Sequence, residues 1–311
     1  MSSPSPFTVS KLYRYPVKSM GAEEIQQAQI CPIGLVGDRR YAVQEVATGI
    51  ICSAKIPKKY GILLEFTARY LVEPSDSSDL PPVEIQFPDG RRISSEDPGL
   101  NAALSATLGI EVQLITQAPQ GSEVDMLWRI TEGHAATQWT NDRKIGEEDG
   151  QDKVRFKLAG AVPEGADYAT FVDLSPIHFV TTSMLRHLQD AAPGVNFDAM
   201  RFRPNLVLDG PDAGPVEQTW QNAKIGFGDV TLNVDYPTVR CGMPSLPQKR
   251  LGLQLSRQTI QAVARHNTLQ VDALGPGDWA CVGACASVVR NGTLTVGAQM
   301  GITMPAEVSG R

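Results

Sequence analysis

The stretch Asp235-Tyr236-Pro237-Thr238-Val239-Arg240-Cys241-Gly242-Met243-Pro244 leaves a strand and enters a loop. Upstream of it, Leu232, Val234 and Tyr236 alternate with polar residues, which predicts a half-buried strand running into the stretch. Pro237 and Pro244 frame Cys241 and favour a loop of defined shape over a central strand. Arg240 directly precedes Cys241, and a cation beside a thiol favours the thiolate, which is both a soft metal ligand and a nucleophile. The other reading of the same residue is a buried cysteine that acts as a small apolar group.

The surrounding chain has 311 residues, 42% hydrophobic and 20% charged, enough for two domains or one large one of soluble globular type. Its net charge of −6 argues against nucleic acid as the main partner, since phosphate binding needs a basic face. No apolar run approaches the length of a membrane span, so no membrane association is expected. Met1 to Phe7 is rich in Ser and Pro and reads as a loose tail without the pattern of a signal peptide. Five cysteines, an odd number at wide spacing, do not form a disulfide framework, and a reducing cytoplasm is the expected location. Cys281 and Cys285 stand four apart, but no other Cys or His lies close enough in sequence to complete a zinc or iron–sulfur pattern.

Working outward, the first part of the chain reads mainly as strands. Phe7 to Tyr15 ends at Pro16, Ile25 to Ile30 leads into the turn at Cys31 to Gly34, and Tyr41 and Val43 share a face. Pro74 to Pro82 reads as a loop, and Val83 to Phe87 as one arm of a hairpin turning at Pro88-Asp89-Gly90. Asp97-Pro98-Gly99 predicts a helix start with Asp97 as cap; Leu100, Leu104 and Leu108 share a face and Gly109 closes it. Val112 to Ile115 is a short strand. Residues 118–165 are polar and lack periodicity, which predicts a linker or long surface loop. Beyond it, Pro176 to Val180 reads as a buried strand, Thr181-Thr182-Ser183 as the start of a helix carrying Met184, Leu185 and Leu188, and Asn205 to Asp209 as a strand. A helix from Ser256 to His266 has Ser256 as its cap and Asn267 as its stop. Ser287 to Arg290 and Thr293 to Val296 around Asn291-Gly292 read as a hairpin. Many short strands with about three helices make a β-rich α+β protein.

Several segments offer groups for an anion. Arg201 and Arg203, two apart at the entry to a strand, are expected on one side, where they could clamp a phosphate or carboxylate. Thr182 and Ser183 lie at a strand-to-helix junction with free backbone N–H groups. Lys18-Ser19 and Arg39-Arg40 sit at turns. Each has an ordinary alternative, as surface salt bridges or helix caps. The four histidines do not cluster; His178 reads as a hydrogen-bonded core residue and His134 as a loop residue. Gly-x-Ser-x-Gly and Gly-x-Gly-x-x-Gly are both absent, so serine hydrolase and Rossmann dehydrogenase readings lose support.

Taken in order, these segments resemble a known family. Leu12 to Ser19 and Gly34 to Arg39 are similar to the N-terminal β-barrel domain that precedes MOSC domains. Pro176 to Ser183, Arg201 to Asn205, Trp220 with Ile225-Gly226, and Val239-Arg240-Cys241 are similar to the MOSC domain itself. The resemblance implies an N-terminal MOSC-associated β-barrel domain over residues 1–120, a linker or long loop over 121–165, and a MOSC β-barrel domain with a few helices over 166–311. It implies a molybdenum cofactor, a pyranopterin carrying molybdenum and a phosphate, with Cys241 as metal ligand; pyridoxal phosphate is not expected. It places Lys18, Ser19, Arg39, Thr182, Ser183, Arg203 and Asn205 around phosphate and pterin, and the cationic Arg201 and Arg240 are grouped with them. In kind, the resemblance extends to the amidoxime-reducing enzymes. That implies a molybdenum-dependent oxidoreductase that reduces small N-hydroxylated or N-oxide-type molecules with electrons from a ferredoxin- or cytochrome-type protein. Two alternatives are a MOSC-fold enzyme acting on a small metabolite without the metal, and a sulfur carrier with a persulfide on Cys241. The chain departs from the reductase pattern at Gly242-Met243-Pro244-Ser245-Leu246-Pro247, where a Thr-rich stretch and an Asp are usual.

Overall fold

Alternation along Val230–Val239 sets the architecture. Val230, Leu232 and Val234 are buried while Thr231, Asn233 and Asp235 are only partly covered, the period-two signature of a strand with one face on a core. A computed structural model of the protein describes residues 3–116, 122–128, 142–158, 170–211, 214–275 and 277–305. Among them, seven strands close a barrel: β1 (Ser3–Arg14), β2 (Ile177–Thr181), β3 (Leu206–Asp209), β4 (Lys224–Phe227), β5 (Val230–Val239), β6 (Asp278–Arg290) and β7 (Gln299–Thr303). Their order around the barrel is β2-β3-β1-β7-β4-β5-β6, and β6 pairs back onto β2 through Ile177 opposite Ala286. Closure leaves no barrel edge open to pair with another chain. The β2–β3 pair is parallel, so the chain must cross over between them. That crossover begins with the helix α2 (Thr182–Ala191), which buries Met184 and Leu188. Leu12, Phe179, Leu206, Ile225, Leu232 and Ala286 fill the interior.

A second core, including Phe66, Ile85, Phe87 and Leu104, lies under the small sheets and the helix α1 (Leu100–Leu108) of the first half. Near the end of the chain the helix α3 (Arg257–His266) packs through Ala262 and Val263 against α2 residues Met184 and Leu188. The β-rich α+β class agrees with the expectation from the sequence.

Several expectations need correction. Met1 to Phe7 is not all tail: from Ser3 the chain is already β1, paired with Ile302. A boundary near residue 120 does not separate two barrels, because β1 completes the barrel otherwise made from residues 177–303. Ile25 to Ile30 is two strands: Glu23–Ile25 pairs with β1 and Gln27–Cys31 pairs with Gly292–Thr295. That second pairing dissolves the expected Asn291-Gly292 hairpin, since β6 bonds β5 instead. Asp97 does not cap α1; Gly99 is the N-cap and donates its N–H to Asp97 Oδ1 at 2.7 Å. Ser256 caps α3 by position only, its hydroxyl accepting from Thr259 Oγ1.

The largest correction falls in the stretch read as a linker over 121–165. Glu123–Trp128, Gln151–Lys157 and Lys144–Glu148 form a three-stranded antiparallel sheet. Its two ends are tied to the first half, where Ile51 donates to the Glu123 carbonyl and Leu127 donates to the Lys55 carbonyl. The strands carry charged residues on alternate positions, which hid the apolar alternation of Val124, Met126 and Trp128. Of the predicted linker, residues 121, 129–141 with His134, and 159–165 lie outside the described residues.

Candidate functional site

The end of β5 opens into a cleft between the barrel, the turns after β1 and the three-stranded sheet. Lys18, Ser19, Arg39, Arg201, Arg203, Asn205, Arg240 and Cys241 all line it. Residues scattered over more than 220 positions therefore meet, as the sequence reading requires of a common site. Three of them, Ser19 (φ 66°), Arg39 (φ 48°) and Arg203 (φ 54°), hold the left-handed backbone conformation that non-glycine residues seldom adopt. Such conformations persist where the surrounding structure enforces them, and they gather at binding sites.

Pro16 ends β1, and the turn that follows buries Lys18. Lys18 Nζ donates to the Phe171 carbonyl at 2.7 Å and to Asp173 Oδ1 at 2.6 Å. Lys55 Nζ reaches Asp173 Oδ2 at 3.0 Å. Burial opposes ionisation of Asp173, but Lys18 and then Lys55 outweigh it and hold the carboxyl below the usual carboxylate range. Burial pushes Lys18 down to about 8, with Asp173 working against that and Lys55 adding to it. Lys55 and Asp173 were not legible as site residues. Neither stands in a motif, and they meet only because residues 170–175 run across the turn at Lys18.

Arg39 is ion-paired to Asp38, and its Nη2 donates to the Arg203 carbonyl at 3.3 Å. The guanidinium carbons of Arg39 and Arg203 lie 4.4 and 4.3 Å from the centre of the Tyr15 ring. Burial, with the like charge of Arg39, lowers Arg203 to about 10. Its Nη1 is buried and has no hydrogen-bond partner among the described residues. A buried donor left unpaired costs free energy comparable to a lost hydrogen bond, so this nitrogen awaits an acceptor.

Arg201 does not join Arg203 in a clamp. Ala199–Phe202 is a 3₁₀ turn rather than strand, and the left-handed Arg203 turns the chain again. The two side chains diverge. Arg201 is buried and donates from Nη1 to the Pro244 carbonyl at 3.1 Å and from Nη2 to the Gln254 carbonyl at 3.0 Å. It braces the loop that follows Cys241, including the 3₁₀ turn Met243–Ser245 where the chain departs from the reductase pattern. Asn205 is also a brace: its Oδ1 accepts from the His178 N–H and its Nδ2 donates to the Tyr13 carbonyl.

Arg240 donates from Nη2 to the Phe202 carbonyl at 2.6 Å, and its Nη1 lies 3.3 Å from His178 Nε2. A guanidinium offers only donors, so Nε2 accepts and the imidazole proton sits on Nδ1, facing the Arg203 carbonyl at 3.5 Å. Burial, and next the charge of Arg240, hold His178 well below its ordinary range, which keeps it neutral. The core role expected for His178 fits these bonds, yet the ring also lines the cleft. Cys241 is partly exposed there, whereas Cys31, Cys52, Cys281 and Cys285 are buried.

Thr182 and Ser183 are not brought to the cleft. His178 stands at the cleft end of β2, and a strand rises about 3.3 Å per residue, so Thr181 lies roughly 10 Å further along. There Thr181 caps α2, accepting from the Met184 N–H, and donates to Glu217 Oε2 at 2.7 Å. Thr182 donates to Asp209 Oδ1 at 2.8 Å and Ser183 to the Gly214 carbonyl at 2.6 Å. Both serve the helix start, because the helix begins at the opposite end of the strand from the cysteine loop.

Met126, Trp128, Phe156, Leu274 and Trp279 also line the cleft and pack together as one apolar cluster. No described helix is long and apolar enough to cross a membrane, and the described residues hold no cluster of three or more His, Cys, Asp or Glu suited to a metal ion. What the cleft can do chemically is hold an anion on its cationic side and present one accessible sulfur beside it.

Comparison with known proteins agrees with the architecture. A family model of the MOSC N-terminal beta barrel domain matches residues 6–77, and one of the MOSC domain matches residues 167–300. Among solved structures, the YuaD protein from Bacillus subtilis is similar at 10% identity over 98% of this chain and 100% of that one, with a TM-score of 0.44. YiiM from Geobacillus stearothermophilus is similar at 15% identity over 42% of this chain and 54% of that one, with a TM-score of 0.30. YiiM from Escherichia coli is similar at 15% identity over 42% and 55%, with a TM-score of 0.29. A search of curated proteins found no match. With both domain models matched in order along one chain, the protein belongs to the MOSC family and carries the MOSC N-terminal beta barrel domain ahead of its MOSC domain.

Proposed function

We propose that the cleft binds a molybdenum cofactor and that the protein is an oxidoreductase. The observation that carries this reading is one partly exposed cysteine sulfur beside a cluster of cations whose charge exceeds that of the carboxylates facing them. Lys18 and Lys55 share Asp173, Arg39 is matched by Asp38, and Arg203 has a buried donor without an acceptor. A phosphate supplies what this surface lacks, and a thiolate suits a soft metal. The residues present therefore fit the group: Cys241 would ligate the metal, while Arg203, Lys18 and Arg39 would hold the phosphate and Ser19 would lie beside them.

When bound, such a cofactor supplies two-electron chemistry that a side chain cannot. The protein's own residues do the rest. Arg201 fixes the Cys241 loop through the Pro244 and Gln254 carbonyls. Arg240 donates to His178 and keeps that imidazole neutral, so the charge on this side of the cleft is that of the guanidinium alone. Lys18 Nζ, lowered to about 8 but paired with Asp173, keeps its proton at neutral pH and so stays a cation for the phosphate. The reaction proposed is reduction of a small N-hydroxylated or N-oxide-type molecule. The N–O bond breaks, two electrons come from a ferredoxin- or cytochrome-type protein, and two protons complete the amine and water.

Metal and pterin analysis of protein purified from cells that make the cofactor tests the reading. About one molybdenum per chain is expected, and folded protein without molybdenum or pterin overturns it. An extra sulfur on Cys241 in the intact mass would instead favour a persulfide carrier.

A further inference from the structure

The three-stranded sheet lies outside both matched stretches, yet it builds one side of the cleft. Its faces are sorted by the period of two. Val124, Met126 and Trp128 stand opposite Phe156, Val154 and Asp152, so one face collects three apolar side chains from the first strand and two from its partner. The next positions, Asp125 opposite Arg155 and Leu127 opposite Lys153, belong to the other face, where Arg155 pairs bidentately with Asp125. The apolar face is anchored on two sides. Trp128 meets Trp279 of β6 edge to face at 5.5 Å, and the Lys55 ammonium lies 4.9 Å from the centre of the Phe156 ring. Phe156 thus stands between the cationic side of the cleft and its apolar side.

We propose that this sheet is the specificity element of the protein, and that Met126, Trp128 and Phe156 receive a broad, flat apolar body of the substrate. The substrate class is then an aromatic or similarly planar compound that carries its reacting polar group toward Cys241. This rests on the reading above only for which end of the substrate reacts; the apolar subsite itself needs no cofactor. Edge and face contacts from aromatic side chains suit a planar ring, and Met126 adapts to its outline. A small polar molecule would gain nothing from this apolar lining.

The test uses the full chain and a neutral probe, 2-naphthamide, with acetamide as the small counterpart. Binding is followed by tryptophan fluorescence and by the thermal midpoint, and molybdenum is assayed on the same preparation. Saturable binding of 2-naphthamide, with none of acetamide, is expected whether or not molybdenum is present. Trp128→Ala should weaken it on the order of tenfold, the size of one lost aromatic contact. Met126→Gln, close in volume and less disruptive of folding, should weaken it severalfold, and Ile145→Ala on the exposed part of the same sheet should leave it unchanged. Absence of 2-naphthamide binding, or equal binding by folded Met126→Gln and wild type, overturns the proposal even if molybdenum is found. Binding with no molybdenum overturns the cofactor reading and leaves the apolar subsite standing.

Discussion

The two ends of β2 both carry polar residues and do opposite things. At one end His178 sits among Arg240, Arg203 and Asn205, with a cleft in front of it. At the other, Thr181, Thr182 and Ser183 meet Glu217, Asp209 and Gly214. The three hydroxyls at the far end find partners within the chain and complete the start of α2, and the one oxygen left over there, Glu217 Oε1, belongs to a carboxyl that burial favours in its neutral form. At the cleft end a guanidinium nitrogen of Arg203 does not, and the neighbouring backbone is held in left-handed conformations. The difference teaches that a strand-to-helix junction rich in hydroxyls is a closed structural joint here, while the less regular loop end is where a ligand is needed.

The sharpest way to break this contrast is Cys241→Ser. If the cleft end holds the cofactor, molybdenum content should fall from about one per chain to near zero while the thermal midpoint of the ligand-free protein barely moves. Retained molybdenum would place the cofactor elsewhere. The far end should answer to pH instead. Burial raises Glu217 to about 7, above the 4.5 of an ordinary glutamate, and its hydrogen bond from Thr181 only partly opposes this. The folded state therefore binds the proton more tightly, so the stabilisation is complete below about pH 4.5 and is lost as pH rises toward 7. Wild type should lose up to about 3 kcal/mol more than Glu217→Gln over that window, measured by denaturant unfolding at pH 5 and pH 8. Equal slopes would mean that the carboxyl is not held protonated.

Two smaller effects complete the comparison. Arg203→Ala should weaken retention of the anionic cofactor by about 2 kcal/mol, or roughly thirtyfold, as expected for a charge-assisted hydrogen bond, with little change in unfolding. Cofactor loss during dialysis against phosphate measures it. Thr182→Ala should do the reverse, lowering stability by about 1 kcal/mol or less and leaving molybdenum content unchanged. A cofactor defect in Thr182→Ala would erase the distinction between the two ends.

Much of the cleft end is legible in the chain; the contrast with the far end is not, and the reasons are physical. Lys18-Ser19, Arg39, Arg203 and Cys241 announced themselves as charged or nucleophilic residues at turns, and the structure brings them together. Arg201 departs from its expected place because its spacing from Arg203 implies one side only on a strand, and the segment is a 3₁₀ turn. Asp173 and Lys55 carried no local signal, because an ion pair across the turns depends on how two distant segments cross. The three-stranded sheet reads as a loop in the sequence because its charged residues mask a period of two.

The sequence by itself determined which residue types could bind an anion and a soft metal, the β-rich class, and the strand that delivers Cys241. These follow from side-chain chemistry and from short-range periodicity. Tertiary structure alone decided that β1 closes the barrel, that Arg201 braces a loop while Arg203 faces the cleft, and that Thr182 and Ser183 stand at the wrong end of β2. Each of those depends on which distant backbone groups satisfy a buried donor, and no local pattern records that choice.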